Sequence, residues 1–234
     1  MSRRLTSRRR GDQSPGRLSR RARLAGLAVA TALVACGGAV AHAAGVSPVV
    51  PPGGTIDGEG YAYWSGAADA AFFDSGGATP PCARTLKAPD GGTVVELAAS
   101  GSCDVPAWEP IFVPGDGANY ECSTVEGDHY GFGTTPAQLQ LCARQNYYEI
   151  NTRGTATVDG NPVENYAGLI SASPAFDFVI PDRNDFGVTP GPGMTAIYGE
   201  SLLLRGLSPG THTIRITAAY NNKEMATEYT LHVH

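Results

Sequence analysis

The chain has 234 residues with 17 basic and 22 acidic side chains, but 9 of the basic and 1 of the acidic lie within residues 1–43, leaving 8 basic against 21 acidic beyond them. A body that acidic repels phosphate backbones and anionic lipid, which argues against nucleic acid and membrane-surface partners. The stretch after residue 43, roughly 190 residues, is long enough for one domain with a real core.

The first 43 residues read as an export signal. Nine arginines and the single acid Asp12 lie before residue 24, an apolar stretch follows from Leu24 to Cys36, and small residues end in Ala41-His42-Ala43. That charged, apolar, small-residue order belongs to a cleavable signal peptide. The apolar stretch is shorter than the ~20 residues of a spanning helix, so no transmembrane helix is expected in the mature form. Two starts of the mature chain stay open. Cleavage after Ala43 gives a secreted, extracellular protein; lipidation of Cys36, where Leu33-Val34-Ala35-Cys36 resembles a bacterial lipobox, gives a lipid-anchored one at the cell surface. Arg20-Arg21 leaves the export route open between the general and the twin-arginine pathway.

Residues 44–56, rich in Pro and Gly, carry no apolar period and are expected to be a flexible lead-in to a single domain over 57–234. Tyr61, Trp64, Ala68 and Phe72 recur at three- and four-residue spacing and predict a short helix. Residues 93–99 and 109–113 read as strands and 115–134 as a loop, which would expose Tyr120 and Tyr130. Thr135-Pro136 opens a second helix carrying Cys142, because Thr caps orphan N–H groups and Pro suits the first helical turn. Thr155–Val158, Val163 running into Leu169-Ile170, Phe176–Ile180 and Ala196–Leu204 are strand-like. Two final strands show the cleanest alternation, with His212, Ile214 and Ile216 on one face and Tyr229, Leu231 and Val233 on the other strand's matching face. The expected fold is mainly β, an antiparallel β-sandwich with one or two short helices after an N-terminal signal segment.

Beyond the leader the cysteines number four: Cys82, Cys103, Cys122 and Cys142. An even count in an oxidising compartment reads as two disulfides, with three connectivities formally open. We expect Cys82 to pair with Cys103 and Cys122 with Cys142, since each pair then flanks its own block and neither bridge crosses the other in sequence. The absence of a Cys-x-x-Cys pair argues against a zinc ribbon or a redox motif.

The blocks VVELAASGSCDVPAWEPIFVPG, ECSTVEGDHYGFGTTPAQLQLCA, TATVDGNPV, FDFVIPDRNDFG and YGESLLLRGLSPGTHTIRI resemble, in this order, an uncharacterised family of secreted bacterial proteins. The resemblance implies a disulfide-containing, β-sandwich-like body and brings no activity with it. One departure is Trp108, where the family often has Gly.

Candidate chemistry is thin. Gly206-Leu207-Ser208-Pro209-Gly210 matches a hydrolase nucleophile pattern, but Pro209 lacks the N–H that the oxyanion site needs, so a plain turn is expected. His232 and His234 share one face of the last strand and supply two ligands where zinc wants three or four, which favours a solvent-facing pair. Asp182, Asn184 and Asp185 group oxygens in a loop, the chemistry of calcium, the one cofactor the residues suggest; the same residue types are ordinary turn formers. Those carboxylates, with Asp177, Glu200 or Glu109, offer an acid/base pair for glycoside cleavage. Tyr61, Tyr63, Trp64, Trp108, Tyr120 and Tyr130 offer rings to a sugar, although helical spacing assigns Trp64 to the core. The reading these residues favour is a non-catalytic extracellular or cell-surface module for binding or structure, its ligand unspecified by the sequence, with carbohydrate one class that exposed aromatics would suit. Its alternative is an extracellular hydrolase working through paired carboxylates. Nothing in the residues specifies an oligomeric state.

Overall fold

A computed structural model describes residues 47–78, 82–115, 118–125, 131–150, 154–220 and 223–234. Residues 1–46, with Cys36, and Tyr130 lie outside the described residues. Gly45–His234 form one compact unit.

In chain order, a hairpin of β1 (Thr55–Ile56) and β2 (Glu59–Gly60) leads into helix α1 (Tyr61–Asp74). Strands β3 (Ala83–Lys87), β4 (Thr93–Leu97), β5 (Gly101–Val105), β6 (Ile111–Val113) and β7 (Asn119–Ser123) precede helix α2 (Pro136–Ile150). The remainder is β8 (Gly154–Val158), β9 (Asn161–Pro162), a 3-10 turn at Tyr166–Gly168, β10 (Ser171–Ala172), β11 (Phe176–Ile180), β12 (Gly191–Gly199), β13 (Leu202–Leu204), β14 (Gly210–Tyr220) and β15 (Lys223–Val233).

The fold is mainly β and sandwich-like. One sheet runs β13-β6-β4-β3 and another β5-β15-β14-β8-β9. Their inner faces meet in one apolar core: Val95, Leu97, Ile111, Val113 and Leu202 from the first, Val105, Ile214, Ile216, Leu231 and Val233 from the second. Pairing is mostly antiparallel, with β4–β6 and β5–β15 parallel. A third sheet has β12 at its centre, with β10 and β11 along one edge and β7 on the other. Helix α1 packs on one face of this sheet and α2 on the other. The two disulfides join Cys82 to Cys103 and Cys122 to Cys142, with Cα atoms 5.4 and 6.0 Å apart. The first ties the two sandwich sheets at the head of β3; the second ties β7 to α2.

Helix α1 buries more than the one face its spacing predicted. Tyr61, Trp64 and Ala68 are buried as expected, but so are Ser65, Gly66, Asp69, Ala70 and Phe73. Small residues allow this close approach: a Cβ at Gly66 would meet the Phe176 ring at 2.3 Å. Phe73 stacks on Phe178 with ring centroids 4.3 Å apart, and the half-buried Phe72 meets Phe186 edge-on.

Three segments depart from expectation, and the expected lead-in over 44–56 makes contact with the body: the Val50 N–H bonds Leu203 O at 2.8 Å, and Val50 O accepts the Tyr61 hydroxyl at 2.6 Å. Within 115–134, Asn119–Ser123 is a strand, because β12 supplies a full antiparallel partner. The run from Val163 turns instead of extending, with Asn165 left-handed at φ 54°. Ala196–Leu204 is split between two sheets at Glu200-Ser201; Gly199, at φ 148°, fits there because a Cβ would strike the Ala118 carbonyl oxygen at 2.4 Å. Trp108, the departure noted above, also has a left-handed backbone, at φ 66°.

Candidate functional site

Strict alternation along β7 and β12 sends two chemistries to opposite faces of one sheet. Register pairs Tyr120 with Tyr198 and Cys122 with Ala196, all facing α2. Glu121 pairs with Ile197 and Ser123 with Thr195, facing α1.

On the α2 face the helix adds Tyr147 and Tyr148. Tyr147 is buried, and its ring lies edge-on to Tyr120, Tyr148 and Tyr198, with centroids 6.4, 5.4 and 5.2 Å away. Its hydroxyl donates to Glu200 Oε1 at 3.2 Å, and the Gly154 N–H donates to Glu200 Oε2 at 2.7 Å. Burial, together with the Glu200 charge and hydrogen bond, pushes the Tyr147 phenol well above the ordinary tyrosine range. Tyr148, by contrast, is 56% exposed, and its hydroxyl is 3.0 Å from that of the half-buried Tyr198. Burial first, then the hydrogen bond with Tyr148, raises the Tyr198 phenol. The Arg144 guanidinium stands over the Tyr148 ring, 5.8 Å from its centroid, one helical turn away. The surface is a tyrosine platform with hydroxyls and a guanidinium at its margin, seated on Leu139, Ala143 and the Cys122–Cys142 bridge.

The α1 face holds a cleft of about 190 Å³ lined by Asp69, Arg84, Glu96, Asn119 and Glu121 with Phe72 and Phe112. Arg84 clamps Glu96 with two nitrogens, Nη2 to Oε1 at 3.0 Å and Nε to Oε2, and also donates to Ala68 O at 2.6 Å. Thr195 Oγ1 donates to Asp69 Oδ2. These carboxylates are spent on joining α1, β3, β4 and β12.

The sequence-derived candidates scatter. Tyr120 reaches the platform, on a strand and half-buried instead of exposed on a loop. Among aromatics proposed for stacking, Tyr61 and Trp64 are core residues, whereas Trp108 is 67% exposed. Glu200 is buried beneath Tyr147, while Asp177, Asp182 and Asp185 are exposed. Asn184 secures its own loop, donating to Pro181 O and Val188 O and accepting the Val188 N–H at 3.2 Å. His232 Nε2 lies 2.9 Å from Ser102 Oγ and His234 Nδ1 3.3 Å from His232 O. Among the described residues, no group of three or more His, Cys, Asp or Glu is placed to hold a metal. Ser208 lies in the connection between β13 and β14, its carbonyl 2.9 Å from His212 Nε2.

Sequence reasoning missed Tyr147, Tyr148, Tyr198 and Arg144. The available signal was Arg144 and Tyr148 at i, i+4 on a helix that already carried Cys142. Comparison with known proteins returns no match among family models, curated proteins or solved structures. Two disulfides assign the domain to an oxidising compartment, and no helix among the described residues is long and apolar enough to cross a membrane.

Proposed function

We propose that the protein is a non-catalytic extracellular or cell-surface binding module whose tyrosine platform takes carbohydrate. The observation that carries this reading is the convergence of Tyr120, Tyr148 and Tyr198 with Arg144 on one face of a disulfide-braced helix and sheet. Aromatic rings present an apolar surface to the C–H faces of a sugar, and their hydroxyls bond its hydroxyl groups. Ring and helix are held in place before binding, which lowers the ordering cost. Export by the arginine-rich leader, membership in the secreted family that the sequence resembles, and a start at residue 44 or at lipidated Cys36 belong to the same reading. Affinity electrophoresis of the folded domain against a panel of cell-wall and plant polysaccharides tests it. Retardation by at least one, weakened in Tyr148→Ala, is expected; mobility unchanged across the panel would refute it.

A second reading, a hydrolase working through carboxylates, is favoured by one observation: Asp69, Glu96 and Glu121 line a single cleft. Release of reducing ends from any of the same polysaccharides, lost in Glu121→Gln, would decide for it.

A further inference from the structure

We propose that Tyr148 and Tyr198 are an oxidative cross-linking site, at which a haem peroxidase using hydrogen peroxide couples the two rings into an intramolecular dityrosine. The two phenol oxygens are 3.0 Å apart, and the rings are tilted at 46° with centroids 5.8 Å apart. That contact draws together the ring carbons ortho to each hydroxyl, the positions at which phenoxyl radicals combine. Tyr148 is open to an oxidant at the surface, and Tyr198 lies directly beside it on β12, whose neighbour β7 the Cys122–Cys142 bridge ties to α2.

The neighbouring groups serve the same chemistry. Tyr147 lies within 5.4 Å of Tyr148 and 5.2 Å of Tyr198, ring centre to ring centre, so an electron vacancy formed on one ring has a short path to the others. A phenol that loses an electron becomes a strong acid, and the Glu200 carboxylate, which already accepts a hydrogen bond from the Tyr147 hydroxyl, is placed to take that proton. An oxidation that begins at the buried ring is therefore relayed to the exposed pair, where it ends in a bond.

The step balances. Each phenol gives up one electron and its hydroxyl proton; the two radicals join through one carbon–carbon bond between ortho positions. The hydrogen on each of those carbons then leaves as a proton, and a proton returns to each oxygen, restoring two aromatic phenols. The pair has lost two electrons and two protons, which reduce one hydrogen peroxide to two waters. The hydrogen peroxide and the haem peroxidase are the co-reactants of the step, and the disulfides mark the domain as one suited to an oxidising compartment. The inference is independent of the sugar reading, since its readout is a covalent bond and involves no glycan.

The test treats the intact folded protein with hydrogen peroxide and a haem peroxidase, then measures dityrosine fluorescence and maps peptides by mass spectrometry. The expected product is a monomer whose Tyr148 and Tyr198 peptides are joined with loss of two hydrogens. Because the pair is preorganised, Tyr148→Phe and Tyr198→Phe should each lower the yield about tenfold, while Tyr63→Phe leaves it unchanged. Phenylalanine keeps the ring and the packing, and circular dichroism checks that each variant is folded. Dityrosine that maps to other residues, covalent dimers without the internal link, or a yield unaffected by either substitution would overturn the proposal.

Discussion

The two faces of the β7–β12 ladder begin from the same backbone and end in opposite conditions. Toward α1, the polar groups face inward and are consumed: Arg84 and Thr195 hold Glu96 and Asp69 to neighbouring elements. Toward α2, the buried polar pair Tyr147–Glu200 lies underneath, and the outer hydroxyls of Tyr148 and Tyr198 meet each other at the surface. One face spends its chemistry on structure, and the other keeps it accessible. Residue type alone does not distinguish them; what distinguishes them is which side of a strand each residue takes and what covers it.

The largest expected effect belongs to the α1 face. Arg84→Ala strips a buried carboxylate of its guanidinium and should destabilise the fold by about 3–5 kcal/mol, read as a shift in the urea midpoint. A loss under about 1 kcal/mol, the value of a surface pair, would break the distinction between the faces. Next comes the brace under the platform. Replacing Cys122 and Cys142 together by Ser removes a cross-link of 20-residue separation and should cost about 3 kcal/mol. Removing Cys82–Cys103, separation 21, should cost about as much, since loop entropy varies slowly with length. Only the first loss should also weaken ligand binding.

The third effect is alkaline. Burial pushes the Tyr61 phenol from 10.0 up to about 12, and the Tyr147 phenol in the same direction. A phenol whose pKa rises on folding favours the protonated form, so its contribution is whole below pH 10 and disappears as pH climbs through the folded value. Stability should therefore fall between pH 10 and about 12, with a shallower slope in Tyr61→Phe; denaturant titrations at stepped pH would show it. The smallest effect lies off both faces. Trp108, left-handed at φ 66° and 67% exposed, should gain about 1 kcal/mol of stability as Trp108→Gly, seen as a higher melting temperature.

Much of the frame was legible in the residues. Alternation along Thr211–Ile216 and Glu228–Val233 places Ile214, Ile216, Leu231 and Val233 in the core where they are found, and Thr135-Pro136 opens α2, with Thr135 Oγ1 accepting the Gln138 N–H at 3.3 Å. Strand β7 was harder to see: Asn119, Tyr120, Glu121, Cys122 and Ser123 have no β-branched residue, and only pairing with β12 makes them a strand. The docking of Val50 and the meeting of Asp69 with Glu96 and Glu121 are tertiary events between residues far apart in sequence, and no local period announces them. The tyrosine platform stands between these cases. Tyr147, Tyr148 and Tyr198 lie in elements that the sequence proposed and Tyr120 in a strand that it did not, and their convergence depends on α2 crossing β12.

The proposed binding role of the α2 face requires that ligand affinity depend on Tyr148 and not on other exposed aromatics such as Trp108. Equilibrium binding of a retained polysaccharide, measured side by side for the unmodified domain, Tyr148→Ala and Trp108→Gly, tests it directly. Tyr148→Ala should weaken binding about tenfold, near 1.4 kcal/mol, while Trp108→Gly leaves it unchanged. Binding lost in Trp108→Gly and retained in Tyr148→Ala would contradict it.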